Sequence, residues 1–361
     1  KEKFREINEK HQNAWLKTVW YNSIFFPVAE IVSSITVGLI VWYGGLQNVT
    51  NISKEEYGTI FMFILLSSML FRPLRQIADK FNTLQMGMVA ANRVFKILDT
   101  DSNIQDVGTI DNDSVKGDIE FQNVRFGYLE NEEVLHGISF KVKAGATIAI
   151  VGATGAGKST IINLLNRFYE INSGAILIDG INIRDYKLNS LRSKIAVVLQ
   201  DVFLFADTIA NNISLKNDAI TIEHMEHAAK QIGVHEFISS LPGGYTYNIK
   251  ERGTMLSSGQ RQLIAFLRAY VSNPSILVLD EATSSVDTYS EQLIQRATEK
   301  ITEGRTSIII AHRLATIKKA DKILVMQDGL IVETGTHKEL LKQKGYYQNL
   351  YEAQFLAEEV A

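Results

Sequence analysis

Apolar residues fall into two regimes along this chain. Up to about position 98 they come as long uncharged runs at helical spacing. Beyond about position 118 they come as short runs broken by glycine and polar clusters. The first regime predicts long helices, and the second predicts strands alternating with helices in an α/β domain. Between Thr18 and Tyr43 the stretch TVWYNSIFFPVAEIVSSITVGLIVWY carries one charge, Glu30, in 26 residues. As a helix it reaches about 39 Å, more than the ~30 Å hydrocarbon core of a bilayer. Trp20, Tyr21, Trp42 and Tyr43 sit near its two ends, where interfacial aromatics belong. A second run, YGTIFMFILLSSMLF at 57–71, has 15 uncharged residues. Its length of about 22 Å suits a buried helix as well as a span.

The flanking charges favour a membrane hairpin over two buried helices of a soluble bundle. Lys1, Lys3, Arg5, Lys10 and Lys17 precede the first run, and Arg72, Arg75, Lys80, Arg93 and Lys96 follow the second. The connecting GGLQNVTNISKEE carries only Lys54. The bias of basic residues puts both ends in the cytoplasm and the connector outside. Glu30 is then expected to face a protein or water-filled interior rather than lipid. Helical periodicity continues after the second run to about Leu98. The following DTDSNIQDVGTIDNDSVKGD is polar, acidic and aperiodic, so it reads as a linker. The expected division is a membrane part at 1–98, a linker at 99–117 and a second domain at 118–361. The chain opens on a charged, helix-friendly segment without an initiator methionine, which reads as a beginning mid-protein.

Composition narrows the chemistry. The 361 residues suffice for two domains, and a net charge of −3 leaves no nucleic-acid footprint. Without cysteine there are no disulfides, thiolate zinc sites or cysteine nucleophiles.

The second domain opens its chemistry with GATGAGKST at 152–160. Gly152, Gly157, Lys158 and Ser159 satisfy G-x-x-x-x-G-K-[ST], with Ala153, Thr154, Gly155 and Ala156 between them and Thr160 after. The apolar TIAIV (147–151) reads as a buried strand before the loop, and TIINLLNRFYE (160–170) as a helix after it. Strand, glycine loop and helix let backbone amides converge on an anion, with the helix terminus adding partial positive charge. Lys158 is suited to the β- and γ-phosphates, and Ser159 to Mg²⁺. A dinucleotide fingerprint does not fit, because Thr160 occupies its last glycine place.

Further constellations lie on either side of this loop. SILVLDEATSS (275–285) is an apolar strand ending in Asp280, a candidate Mg²⁺ ligand, and Glu281, a candidate base for an attacking water. LSSGQRQLIAFLRAY (256–270) is a serine–glycine turn opening an amphipathic helix, a second possible anion site. TSIIIAHRLATI (306–317) is a strand ending in His312, placed to sense a γ-phosphate. KIAVVLQD (194–201) ends in Gln200, whose neutral oxygen suits Mg²⁺ or water. VRFGYLEN (124–131) puts Tyr128 before a strand, where its ring could stack on a purine.

Taken in order, Tyr128, the phosphate loop, Gln200, LSSGQ, LVLDE, SSVD (284–287) and His312 resemble the motifs of the ATP-binding cassette (ABC) ATPases. The similarity runs from about Asp118 to the C-terminus. The preceding hairpin and RPLRQIADKFNTLQMGMVAANRVFKILD resemble the last two of six spans in an exporter half-transporter of the multidrug and lipid A flippase type. YNIKERGTMLSSGQ resembles the exporter version of its segment, with Lys250–Gly253 where the ATPase contacts the membrane half.

The resemblance implies a P-loop, RecA-like α/β core with antiparallel β and helical subdomains, behind an all-α hairpin of a type 1 exporter fold. It implies ATP and Mg²⁺ as cofactors, with Ser159, Gln200 and Asp280 at the metal and Glu281, His312 and Lys158 in hydrolysis. Tyr128 becomes the adenine-stacking residue. Leu256, Ser257, Ser258, Gly259 and Gln260 become the signature that closes on ATP held by another subunit, and Asp287 marks the D-loop. A complete site then needs a second half-transporter, identical or related. The missing upstream spans, membrane lipid and a bacterial inner membrane with the ATPase in the cytoplasm complete the expected setting, with no nucleic-acid partner. Two departures stand out: Ser258 replaces the first glycine of L-S-G-G-Q, and Asn92 stands where A-A-E-R-V-F has glutamate.

The transported substrate is not legible. Competing readings are an ABC module that binds ATP without transport, a soluble cassette ATPase, and a GTPase or kinase. The hairpin argues against the soluble cassette, and the absence of N-K-x-D argues against a GTPase.

Overall fold

The computed structural model describes residues 2–47, 54–102, 104–112, 114–130, 132–250, 253, 255–280, 288–311 and 313–354. The chain divides into two compact units, Lys1–Asp101 and Ser102–Ala361.

The first unit is two long helices, α1 (Glu2–Gln47) and α2 (Lys54–Leu98). Both carry an internal proline, Pro27 and Pro73. Gly44 of α1 sits against Ile60 of α2; a Cβ there would lie 2.7 Å from the Ile60 Cδ1, so the glycine admits the close crossing. Apolar side chains point outward along both helices: Ile31, Ile35, Leu39, Phe61 and Leu70 are each more than half exposed. A soluble bundle would bury them, so the two helices expose a surface that only an apolar medium or further helices can cover. Pro27–Leu46 is long and apolar enough to cross a membrane, whereas the apolar part of α2, Tyr57–Leu70, is shorter.

The second unit is α/β with two sheets. β1 (Ile119–Leu129), β2 (Glu132–Val142), β4 (Ser173–Ile178) and β5 (Ile181–Asn182) form an antiparallel sheet in the order β2-β1-β4-β5. β3 (Thr147–Gly152), β6 (Ile195–Val198), β7 (Ile276–Asp280), β8 (Thr306–Ile310), β9 (Lys322–Gln327) and β10 (Leu330–Gly335) form the second, ordered β10-β9-β3-β8-β7-β6. Its pairs are parallel except β10, which closes one edge antiparallel.

The alternation of side chains across these strands makes two cores. Ile148, Ile150, Val278, Ile308 and Met326 face the antiparallel sheet and the helix α3 (Lys158–Leu165). Ala149, Val151, Leu277, Leu279, Ile309 and Val325 face the helical side, where the helix Ser258–Val271 packs. Full burial on both faces explains why these strands read as unbroken apolar runs.

Gln105, Asp106 and residues 116–118 are fastened within this unit. The Gln105 carbonyl accepts from the Arg167 guanidinium, the Asp106 carboxylate accepts from the Leu188 amide, and Asp179 takes the amides of Lys116, Gly117 and Asp118.

Candidate functional site

Four parallel strands, β3, β8, β7 and β6, end side by side at one end of the six-stranded sheet. Ile150 of β3 pairs with Ile310 of β8, and Ile310 pairs with Asp280 of β7. Val198 of β6 pairs with Leu279. The register therefore brings Gly152, Asp280 and Gln200 to the same end of the sheet.

The loop after β3 is built for close backbone approach. At Gly152 a Cβ would lie 2.2 Å from the Met326 carbonyl oxygen, so no other residue fits without moving β9. Gly155 and Gly157 have φ of 87° and 95°, where a side chain is strained. Gly157 caps α3 without any side-chain hydrogen bond, which leaves the first-turn amides to an outside acceptor. Ala153, Thr154, Gly155 and Ser159 are exposed, while Ala156, Gly157, Lys158 and Thr160 are buried.

Lys158 folds back over the loop, its Nζ donating to the carbonyls of Gly152 at 2.8 Å and Ala153 at 2.9 Å. Burial lowers its pKa from the ordinary lysine value, and the negative charge of Asp280 opposes that shift. Asp280, at the end of β7, is thus near enough for its charge to act on Lys158. An array of unclaimed amides around a buried cation is an anion cradle.

The serine-led helix is a separate structure. Ser257 caps Ser258–Val271 in a capping box: its hydroxyl accepts from the Gln260 amide, and its own amide donates to the Gln260 side chain. Ser258 is the first helical residue and its φ is not positive, so the backbone there makes no demand for glycine. Leu256 and Gly259 are buried beside it. Lys250 and Gly253 both have positive φ, 55° and 61°.

Tyr128 lies near the end of β1 and, as its sequence position suggested, just ahead of a strand, β2. β1 absorbs register shifts around Phe126 and Gly127 and stays extended to Leu129. The Tyr128 hydroxyl lies 3.2 Å from the Thr160 hydroxyl, and the Asn163 amide donates to it at 3.2 Å. Tyr169 and Phe126 meet its ring nearly at right angles, with centroids 5.0 and 4.9 Å away. Asn163 and Tyr169 were not singled out from sequence, because nothing in their local pattern marks them; only folding brings them to Tyr128. Glu281, Asp287 and His312 lie outside the described residues.

Residues 135–284 match the family model of the ABC transporter, and residues 1–74 match the ABC transporter transmembrane region. The chain belongs to the ABC transporters. It is a membrane protein of that family with an α/β nucleotide-binding domain behind helical membrane segments. It is 44% identical over 358 residues to the ATP-dependent lipid A-core flippase of Haemophilus influenzae, covering 98% of this chain and 60% of that protein. It is 40% identical over 352 residues to the probable multidrug resistance ABC transporter ATP-binding/permease protein YheH of Bacillus subtilis, covering 97% of this chain and 52% of that protein. A solved structure of a bacterial Atm1-family ABC exporter with ATP bound superposes with a TM-score of 0.72 at 37% identity, over 92% of this chain and 57% of that one. This ABC transporter chain thus spans between half and two thirds of the length of the curated relatives it matches.

Proposed function

We propose that this chain is the ATP-hydrolysing part, with two adjoining membrane helices, of an exporter that moves a hydrophobic or amphipathic substrate across a membrane. Residues 1–98 are its membrane part and 118–361 its ATPase. The relatives named as a lipid A-core flippase and a multidrug transporter, and the neighbour described as an exporter with ATP bound, support this reading. A bacterial inner membrane with the ATPase in the cytoplasm agrees with the basic residues that flank both apolar runs.

One observation carries the mechanism. The cradle helix α3 and the serine-led helix pack in different cores, on opposite faces of the six-stranded sheet. We take the two helix tips, one per core, as separate anion-binding ends of one ATPase domain. Two domains facing each other head to tail can join the cradle of one to the Ser257–Gln260 tip of the other. ATP then acts as glue, and its cleavage releases a bistable interface that can swing the membrane helices. The partner is a second half-transporter, identical or related.

In this site residues 152–160 hold the triphosphate, and Lys158 exchanges two neutral carbonyls for charged phosphate oxygens. Tyr128 stacks on the base. Glu281 orients and deprotonates water, and His312 contacts the γ-phosphate. The site also suits Mg²⁺, which supplies charge neutralisation on the phosphates. Ser159, Gln200 and Asp280 offer the hydroxyl, amide and carboxylate oxygens that this ion prefers, from elements ending at one edge of the sheet. Asp287 lies at the subunit boundary.

The test is ATP hydrolysis by the protein reconstituted in liposomes, against Lys158→Ala. Turnover should drop by about 100-fold or more; unchanged turnover would remove the cradle from the chemistry.

A further inference from the structure

We propose that Asn163 and Tyr169 are positioning residues for base recognition: they lock the Tyr128 ring in place before the nucleotide arrives and tie it to the phosphate loop. The proposal rests on the reading of Tyr128 as the base-stacking residue.

Tyr128 is 46% exposed and Tyr169 45% exposed, a large apolar area for two neighbouring aromatics. Neither is loose. Phe126, only 3% exposed, anchors the cluster from β1, and the Tyr128 ring meets both other rings edge-to-face. Such perpendicular pairs fix a ring orientation as well as burying area. The hydroxyl end is fixed from α3. Thr160 and Asn163 are three residues apart, so they share one face of that helix, and both reach the phenol oxygen. The Asn163 amide nitrogen only donates. The phenol oxygen accepts from it and shares a second hydrogen bond with the Thr160 hydroxyl, in which either oxygen can donate. Thr160 sits directly beside Ser159 in the cradle. The chain Asn163 to Tyr128 to Thr160 thus links the base end of the site to its phosphate end. Ordering a rotatable aromatic costs free energy on binding, and these contacts within the chain reduce that cost.

The experiment measures equilibrium binding of Mg-ATP and of magnesium tripolyphosphate, which has no base, to the protein and to Tyr128→Ala, Asn163→Leu, Tyr169→Leu and Tyr169→Phe. Asn163→Leu and Tyr169→Leu should each weaken ATP by about three- to tenfold and leave tripolyphosphate unchanged. Neither should add to the loss caused by Tyr128→Ala, and Tyr169→Phe should bind ATP as the parent does. Full ATP affinity in both leucine variants, with loss in Tyr128→Ala, overturns the positioning role and spares the base-stacking reading. Full affinity in Tyr128→Ala overturns that reading itself. An equal loss for tripolyphosphate means the two residues merely support α3, and the proposal fails.

Discussion

The Lys158 ammonium lies 2.8 Å from the carbonyl oxygen of Gly152, so the cation of the cradle is held by the loop it serves. Its burial favours the neutral form, and Asp280 only partly offsets this. A bound phosphate favours the charged form. Binding must therefore take up a proton wherever the free lysine has begun to lose one. ATP affinity should be flat near about pH 8, where phosphates are fully ionised. It should fall on the alkaline side at a pH below the ordinary lysine value of 10.5. Titration of affinity against pH checks this, and a flat profile up to 10.5 would contradict the buried lysine.

Two glycines of the same loop should respond differently to alanine. At Gly152 the added Cβ would press on backbone of β9, 2.2 Å from the Met326 oxygen, which cannot yield like a side-chain tip. At Gly155 nothing lies within 4 Å, and only the φ of 87° resists. Gly155→Ala should cost about 1–2 kcal/mol of stability. Gly152→Ala should cost more, and should distort the cradle and abolish ATP binding. Thermal unfolding with parallel nucleotide titration separates the two.

The second serine of LSSGQ is a third case. Ser258 begins a helix with ordinary backbone angles. Restoring glycine there should change ATP turnover less than twofold and lower stability by up to about 1 kcal/mol. A large gain in turnover from Ser258→Gly would show that the position needs a conformation serine resists.

Glu281→Gln tests the head-to-tail arrangement. The amide cannot take a proton from water, so hydrolysis should slow by about 10²- to 10⁴-fold while ATP still binds. The protein should then accumulate as an ATP-bound pair of ATPase domains, detectable by cross-linking between the cradle and the serine-led helix. Brisk turnover in this variant would remove Glu281 from the base role, and trapped ATP on a monomer would remove the pair.

The strands flanking the cradle were legible because they read as apolar runs: β3 and β7 lie where the pattern puts them, while β6 stops at Val198, short of Gln200, and β8 at Ile310, short of His312. The end of α2 at Leu98 also follows from periodicity lost at that point. The helix after the cradle is shorter than its pattern. TIINLLNRFYE reads as helical to 170, but α3 ends at Leu165 and Arg167 turns with a φ of 50°. Its guanidinium is drawn instead to Glu170 and to Gln105, 62 residues away. Partnerships of that kind, like Asn163 with Tyr128, depend on the finished fold and leave no local mark. Two turns did leave one that pattern-reading passed over. Asp179-Gly180 joins β4 to β5, and Asp328-Gly329 joins β9 to β10; both pairs have positive φ, as a two-residue hairpin turn demands.

The first of those turns serves a second purpose that can be measured. The Asp179 carboxylate accepts from the amides of Lys116, Gly117 and Asp118 at 2.7, 3.0 and 2.8 Å. One side chain thus shapes a hairpin with its φ of 52° and fastens the strand entering the ATPase unit. Alanine loses all three hydrogen bonds and also resists the left-handed angle, for an expected cost of about 2–4 kcal/mol. Asparagine tolerates the angle and keeps one oxygen for Gly117 and Asp118. It presents an amide group to the Lys116 N–H, so it should cost about 1–2 kcal/mol. Chemical denaturation of the ATPase unit should rank the parent above Asp179→Asn, and Asp179→Asn above Asp179→Ala. Equal stability for all three would mean that the fastening contributes nothing to the fold.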